Sequence, residues 1–222
     1  MAITKSVVSR HPLRHAFGLL IRIGLGVWLA TGTAMIAYFG WRYTHQLLGI
    51  GRSSLPAYSP PQREKAKLWP VTPQPGTKIG DLEIPSLHIC VPVVQGTDPD
   101  QLEQGAGHWM TSALPGQLGN VYIAGHRDTV FASLRGIKIG DTIVFHTLYG
   151  DFVYKVTSTT IVPETDVSVL HSSHSGQTMT LQTCYPFFYF GFAPDRYLVH
   201  AELIESPRPH SAALHPQTIS GG

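Results

Sequence analysis

Acidic residues are missing from the first 63 positions of this 222-residue chain, where seven Lys and Arg stand unopposed. The remainder carries nine basic against 14 acidic residues, so the formal net charge of +2 hides two segments of opposite sign. Residues 77–206 alone hold six Lys/Arg and 13 Asp/Glu. That excludes a nucleic-acid-binding domain, whose basic surface would lie on the folded part. Two cysteines, Cys90 and Cys184, are too few for a four-thiolate zinc site or a disulfide framework. Charged residues are scarce, at 14% against 43% hydrophobic, which argues against a disordered chain. No second apolar run reaches spanning length, and no internal repeat is present. The absence of a βαβ period argues against a doubly wound parallel sheet. Glycine (22) and proline (17) are abundant, as expected of a β-rich, turn-rich fold.

The one long uncharged run is Ile23–Gly40, 18 residues, at the lower edge of the roughly 20 needed to cross a bilayer. Arg22 and Arg42 can snorkel at its ends, and Tyr38 and Trp41 suit one interface. Lys5, Arg10 and Arg14 place the N-terminus on the cytoplasmic side. The expectation is an uncleaved signal-anchor over 23–42 after a cytoplasmic tail, 1–22, with membrane lipid as a partner. The rest of the chain then lies outside the cytoplasmic membrane. A cleaved signal peptide is the rival, and a small-x-small cleavage site after the run is lacking.

Residues 43–76 carry six prolines and read as an extended spacer, with a short helix near Gln62–Lys67. From 77 to 206 the segments are short, β-branched and punctuated by turns. Strands are expected at Lys78–Ile84, Ile89–Val94, Val121–Ala124, Thr142–Thr147, Phe152–Ile161, Thr178–Thr183 and Arg196–Ile204. Tyr149-Gly150-Asp151 marks a hairpin. Short helices are expected at Pro99–Gln104 and Thr129–Leu134. Seven or eight short strands in some 130 residues point to a mainly β, closed or nearly closed barrel. The tail 207–222 reads as disordered.

Three strand ends carry reactive side chains: His126 after Ala124-Gly125, Cys184 after Thr180-Leu181-Gln182-Thr183, and Arg196 after Pro194-Asp195. A thiol of pKa near 8.5 needs a neighbouring imidazolium to act as thiolate, and the imidazole can then protonate a leaving amine. A guanidinium offers fixed donors to an oxyanion or to substrate carbonyls. Together the three suffice for acyl transfer through a thioester, without metal or organic cofactor.

These segments resemble the sortases. The resemblance rests on Ala124-Gly125-His126, on Thr-Leu-x-Thr-Cys at 180–184, and on Arg196 twelve residues later. It extends to Gly105-Ala106-Gly107-His108, Ala113-Leu114-Pro115-Gly116, His126-Arg127-Asp128-Thr129 and Cys184-Tyr185-Pro186-Phe187, wording most like class D, and covers about 79–203. It implies an eight-stranded sortase β-barrel with short helices behind one transmembrane helix. It implies a transpeptidase whose catalytic residues are His126, Cys184 and Arg196. The implied substrates are secreted proteins bearing a C-terminal Leu-Pro-x-Thr-Gly-like sorting signal, cleaved after Thr. The implied acceptor is an amine of a cell-wall peptide or protein lysine. Some relatives use calcium; no acidic cage is visible here. A plain cysteine hydrolase would use the same residues with water as acceptor, and a binding module would display peptides uncleaved.

Other residues carry blander readings. Cys90 is expected to pack in the core, a Cys90–Cys184 disulfide would silence the nucleophile, and His171 and His174 read as a solvated loop rather than a metal pair. His108 is expected to pack or hydrogen-bond behind the pocket. His88, His146 and His200 lie in β runs. Arg127 and Asp128 are expected in a loop salt bridge. The run Tyr185–Phe192 either lines an apolar groove for the substrate's Leu-Pro or folds on the barrel as a surface loop.

Overall fold

A computed structural model describes residues 12–49, 55–60, 68–170, 176–189 and 191–207, and divides into two units after Leu47. The expected short helix at 62–67, His171 and His174, and nearly all of the tail lie outside the described residues. The first unit is built on one helix, α1 (Pro12–Gly49), longer at both ends than the apolar run. Its stretch Gly18–Thr44 is 27 residues of mean hydropathy 1.7, long and apolar enough to cross a membrane. Thr31, Thr33 and Thr44 return their hydroxyls to the carbonyls of Val27, Leu29 and Gly40 at 3.0, 2.8 and 2.7 Å. Each hydroxyl is thereby satisfied inside the helix, as a hydrocarbon surround requires.

The second unit is a closed eight-stranded barrel. Its strands are β1 (Lys78–Ile84), β2 (Ile89–Gln95), β3 (Ala106–His108), β4 (Gly119–Ala124), β5 (Thr142–Thr147), β6 (Gly150–Pro163), β7 (Gln177–Tyr185) and β8 (Asp195–Glu205). Around the barrel they run β1-β2-β3-β4-β7-β8-β6-β5. β2–β3 and β4–β7 are parallel and the other neighbours antiparallel. The strand missing from the sequence reading is β3, whose three residues are too few for any period. Its place depends on close approach: a Cβ on Gly107 would sit 2.5 Å from the Gly96 carbonyl oxygen. Pro99–Leu102 forms the expected short helix, α2, with Asp98 and Gln101 as a reciprocal capping box. Residues 129–134 form turns rather than a helix, leading into a 3₁₀ turn at Leu134–Gly136.

The barrel interior is filled by Ile79, Leu82, Ile84, Val93, Val121, Ile123, Ile143, Phe145, Phe152, Met179, Leu181 and Val199. Part of the expected spacer belongs to this core. Trp69 is 5% exposed, donates its indole N–H to the Pro115 carbonyl at 2.8 Å, and sits 5.1 and 5.0 Å from the rings of Tyr58 and Tyr149. Ala57 bridges to Lys78 beside it. Prolines forbid a regular ladder there but not the docking of two isolated aromatics, which leave no periodic signal.

At the end of β3, His108 is fully buried. Its Nε2 lies 2.9 Å from the Ala113 carbonyl and 3.0 Å from Ser112 Oγ, whose own hydrogen goes to the Trp109 carbonyl. The ring proton is therefore on Nε2, and the lone pair on Nδ1 faces the Gln95 side-chain oxygen 2.9 Å away. Turning that amide over gives Nδ1 a donor and relieves Gln95 Nε2, which is otherwise buried without a partner. Ser112 Oγ in turn accepts the Tyr122 backbone N–H. Burial is the larger influence on this imidazole and lowers its pKa to about 4, opposed by the Ala113 bond.

Two measurements follow. The unfolded chain binds a proton at His108 below its ordinary pKa of 6.5, and the folded chain resists it until about 4. Stability is therefore lost as pH falls through that window, by up to about 3 kcal/mol. Urea midpoints at about pH 7 and about pH 4.5 should differ less in His108→Gln than in the native chain. Trp69→Ala should cost about 3–5 kcal/mol in the same assay; a loss under about 1 kcal/mol would mean that 68–76 is not part of the folded core.

Candidate active site

The site is set by strand register. β7 is shared between β4, with Ala124 level with Gln182, and β8, with Cys184 directly opposite Arg196. Cross-strand partners project to one side of a sheet with Cβ atoms about 5 Å apart, so the thiol and the guanidinium stem leave the same face. On the parallel side, the Gly125 N–H donates to the Gln182 carbonyl at 3.0 Å, and Thr183 Oγ1 donates to the Gly125 carbonyl at 2.8 Å. Those two bonds carry the pairing one step past β4. His126 thus leaves the sheet level with Cys184. Gly125 has a steric reason: a Cβ would stand 2.5 Å from the Phe131 ring.

Side-chain alternation divides β7 sharply. Met179 and Leu181 enter the core, with Thr183 buried beside them, whereas Gln182 and Cys184 are half-buried on the outer face, where Thr180 is covered over. Two open clefts cross this outer face. One, of about 180 Å³, is lined by His126, Arg127, Asp128, Glu164, Cys184, Gly191, Phe192, Ala193 and Arg196. The other, of about 230 Å³, has a floor of Tyr122, Ala124 and Gln182 and an apolar wall of Val167, Val169 and Leu170, with Trp109 and Leu102 beside it. They share Glu164 and Arg196. Tyr122 donates its hydroxyl to Gln182 Oε1, leaving the Gln182 amide N–H groups as donors for the cleft. Burial pushes the Tyr122 phenol far above its usual range, so it stays a donor. Below, Asn120 Oδ1 accepts from Thr178 and Thr180, both at 3.1 Å, so the polar outer face is internally satisfied.

The structure thus brings His126, Cys184 and Arg196 to one cleft. Arg196 Nη1 donates to the carbonyls of Ala193 and Asp195, both at 3.0 Å, and Nη2 to Glu164 Oε2 at 3.0 Å. Glu164 follows Pro163, and nothing in its sequence context distinguishes it from other surface carboxylates. Arg127 and Asp128 form no ion pair with each other. Arg127 reaches across to the segment joining β7 and β8, donating through Nη2 to the carbonyls of Tyr189 (2.8 Å) and Gly191 (3.1 Å).

The aromatic run after Cys184 is divided. Tyr185 and Phe187 pack against Tyr197, Phe188 lies under the Arg135 guanidinium at 4.7 Å, and Phe192 is 98% exposed at the rim of the first cleft. None of the run's described residues lines the larger cleft. Cys90 is exposed on β2 rather than packed in the core, because position 90 falls on the outward phase of a strand whose other residues are buried. Both cysteines are free. Among the described residues no group of three or more His, Cys, Asp or Glu side chains could hold a metal ion. His146 bridges Asp151 and Glu83 on the outside of β5, far from metal-like geometry, with each ring nitrogen taken by one carboxylate.

Comparison with known proteins agrees with this architecture. A sortase-domain family model matches residues 82–204. Sortase D of Bacillus subtilis is 39% identical over 132 residues, 60% of this chain and 67% of that protein. Among solved structures, the Sortase D5 transpeptidase of Clostridium perfringens is 31% identical, with a TM-score of 0.54 over 60% of this chain and 82% of that one. Sortase C of Clostridium perfringens, solved with the C-terminal cell wall sorting motif, is 30% identical at a TM-score of 0.54, covering 60% and 74% of the two chains.

The placement of the thiols is directly measurable. A thiol-reactive dye should titrate two groups in the folded protein without prior reduction, and one in Cys90→Ser. Cys90, the more exposed, should react without regard to peptide ligands, whereas a peptide in the clefts should slow only Cys184.

Proposed function

The chain belongs to the sortase family of transpeptidases, and on that premise we propose that it is a membrane-anchored cysteine transpeptidase acting on secreted proteins. Its substrate is a Leu-Pro-x-Thr-Gly-like sorting signal, cut between Thr and Gly. The observation that carries this reading is the convergence of three strand ends, with Cys184 paired opposite Arg196 and His126 level with both, on one open cleft.

Cys184 Sγ, as thiolate, attacks the threonine carbonyl carbon. The electron pair moves to oxygen, and the oxyanion takes hydrogen bonds from Arg196. Three of the five guanidinium N–H groups are bound by Ala193, Asp195 and Glu164, which leaves Nε and one Nη2 hydrogen for the substrate. The group is pre-oriented, so little reorganisation is needed as charge develops. Protonated His126 gives its proton to the glycine nitrogen, the C–N bond breaks, and an acyl-thioester remains on Cys184. An incoming amine then attacks the thioester, its proton passes to His126, and the thiolate leaves. No metal or organic cofactor is required by these steps.

The larger cleft suits the rest of the signal. Val167, Val169 and Leu170 offer apolar contact to Leu-Pro, and Gln182 offers N–H donors to main-chain carbonyls. α1, with its internally bonded threonines and an acid-free N-terminal flank, supports anchoring with the N-terminus cytoplasmic and the barrel outside. The acceptor is the amine of a cell-wall peptide or a protein lysine.

Mass spectrometry of the protein with a sorting-signal peptide should show a thioester on Cys184 that is absent from Cys184→Ala. With an added amine, the product should carry that amine. Hydrolysed peptide alone, with every amine tried, would make the protein a hydrolase. Arg196→Lys should lower kcat about 10²- to 10³-fold, because an ammonium cannot keep the guanidinium's bonds to the loop and present two further donors. Turnover equal to the native protein would remove Arg196 from the mechanism.

A further inference from the structure

We propose that Arg127 is a positioning residue that sets Arg196 through the loop between them. The proposal rests on the transpeptidase reading above.

The segment 186–194 starts just after the strand that bears Cys184 and ends just before Arg196. It is tied from two sides onto neighbouring carbonyls. Arg127 Nη2 takes those of Tyr189 and Gly191, and Arg196 Nη1 takes that of Ala193, two residues further on. Gly191, with φ +93°, makes the bend that turns its carbonyl toward Arg127, a conformation costly for residues with a Cβ. Phe192, between the two ties, is exposed and contributes nothing to holding the strip down. Remove Arg127 and the Ala193 carbonyl loses one of the restraints that place it under Arg196.

Arg127 is also the residue after His126. One dipeptide therefore delivers the imidazole to the cleft and, through the next side chain, holds the support of the guanidinium. The loop has other attachments: Arg135 over Phe188, Phe187 against Tyr197, and the Glu164 N–H donating to the Pro194 carbonyl at 2.9 Å. These keep the loop folded without Arg127, so the effect should fall on geometry rather than stability. The Arg127 bonds are solvent-exposed, which makes their direct contribution to folding small.

The test uses the full chain in detergent, a fluorogenic Leu-Pro-x-Thr-Gly peptide and triglycine as acceptor, in native, Arg127→Ala, Arg127→Lys, Arg196→Lys and Arg127→Ala/Arg196→Lys forms. Arg127→Ala should lower kcat roughly 10- to 100-fold with KM changed less than about threefold and Tm within about 2 °C. Arg127→Lys, which can still donate to both carbonyls, should recover part of the rate. In the Arg196→Lys background Arg127→Ala should cost less than about threefold, because the group it positions is already lost. Equal loss in both backgrounds, raised KM with unchanged kcat, or native-like kcat in Arg127→Ala would each overturn the proposal. No thioester on the native protein would overturn the transpeptidase reading itself, and the proposal with it; that outcome is separable from a reactive native protein matched by Arg127→Ala.

Discussion

The central constraint is the register of β7 between its two neighbours. Because side chains alternate along a strand, a slip of one residue would drive Cys184 into the core and turn Met179 and Leu181 out. Exposing both buried side chains, at about 1.5–3 kcal/mol each, costs more than a typical neutral hydrogen bond, about 0.5–1.5 kcal/mol, could offset. The register is thus enforced by the apolar face and read out on the polar one. Thr183 is the hinge between the two functions: buried on the core side, it spends its hydroxyl on the Gly125 carbonyl and so extends the β4–β7 pairing to the residue before His126.

Given that register, polar groups on the outer face of β4, β7 and β8 are paired with one another. Asn120 serves two threonines, and His200 lies between Thr160 and Thr180 at 3.0 and 3.3 Å. Tyr122 serves Gln182, and behind it the His108 network fixes the Tyr122 backbone through Ser112. The result is a rigid floor whose unspent donors, on Gln182 and Arg196, face the two clefts. Rigid strands are better supports than loops for groups that must meet within a fraction of an ångström. Among the contributions that come from outside the strands, the carbonyl of Ala193 lies in a loop tied down by several contacts.

Electrostatics follow the same economy. Arg196 sits between a carboxylate and two carbonyls, a partly desolvated cation with its charge balanced but not all of its donors used. Glu164 is half exposed, so the ion pair itself adds little to stability, and its contribution is orientation. The acidic excess of the barrel and the acid-free flank of α1 separate along the chain.

Much of the fold is legible in the amino-acid sequence. Seven of eight strands, the hairpin at Gly150 and the closed barrel were readable because β-branched runs and turn residues are local signals. His126, Cys184 and Arg196 stood out because each ends or opens such a run. The docking of Tyr58 and Trp69, the three-residue β3, the outward phase of Cys90 and the partners Glu164 and Arg127 were not. Each depends on which chain segment lies alongside, and a carboxylate or guanidinium looks the same in sequence whether it faces water or a neighbour's carbonyl. The amino-acid sequence alone determined the elements and the reactive side chains they carry. Only the folded barrel decided which of them face each other, because cross-strand register brings residues 58 or more positions apart, such as Gly125 and Thr183, into contact, and no local pattern encodes that pairing.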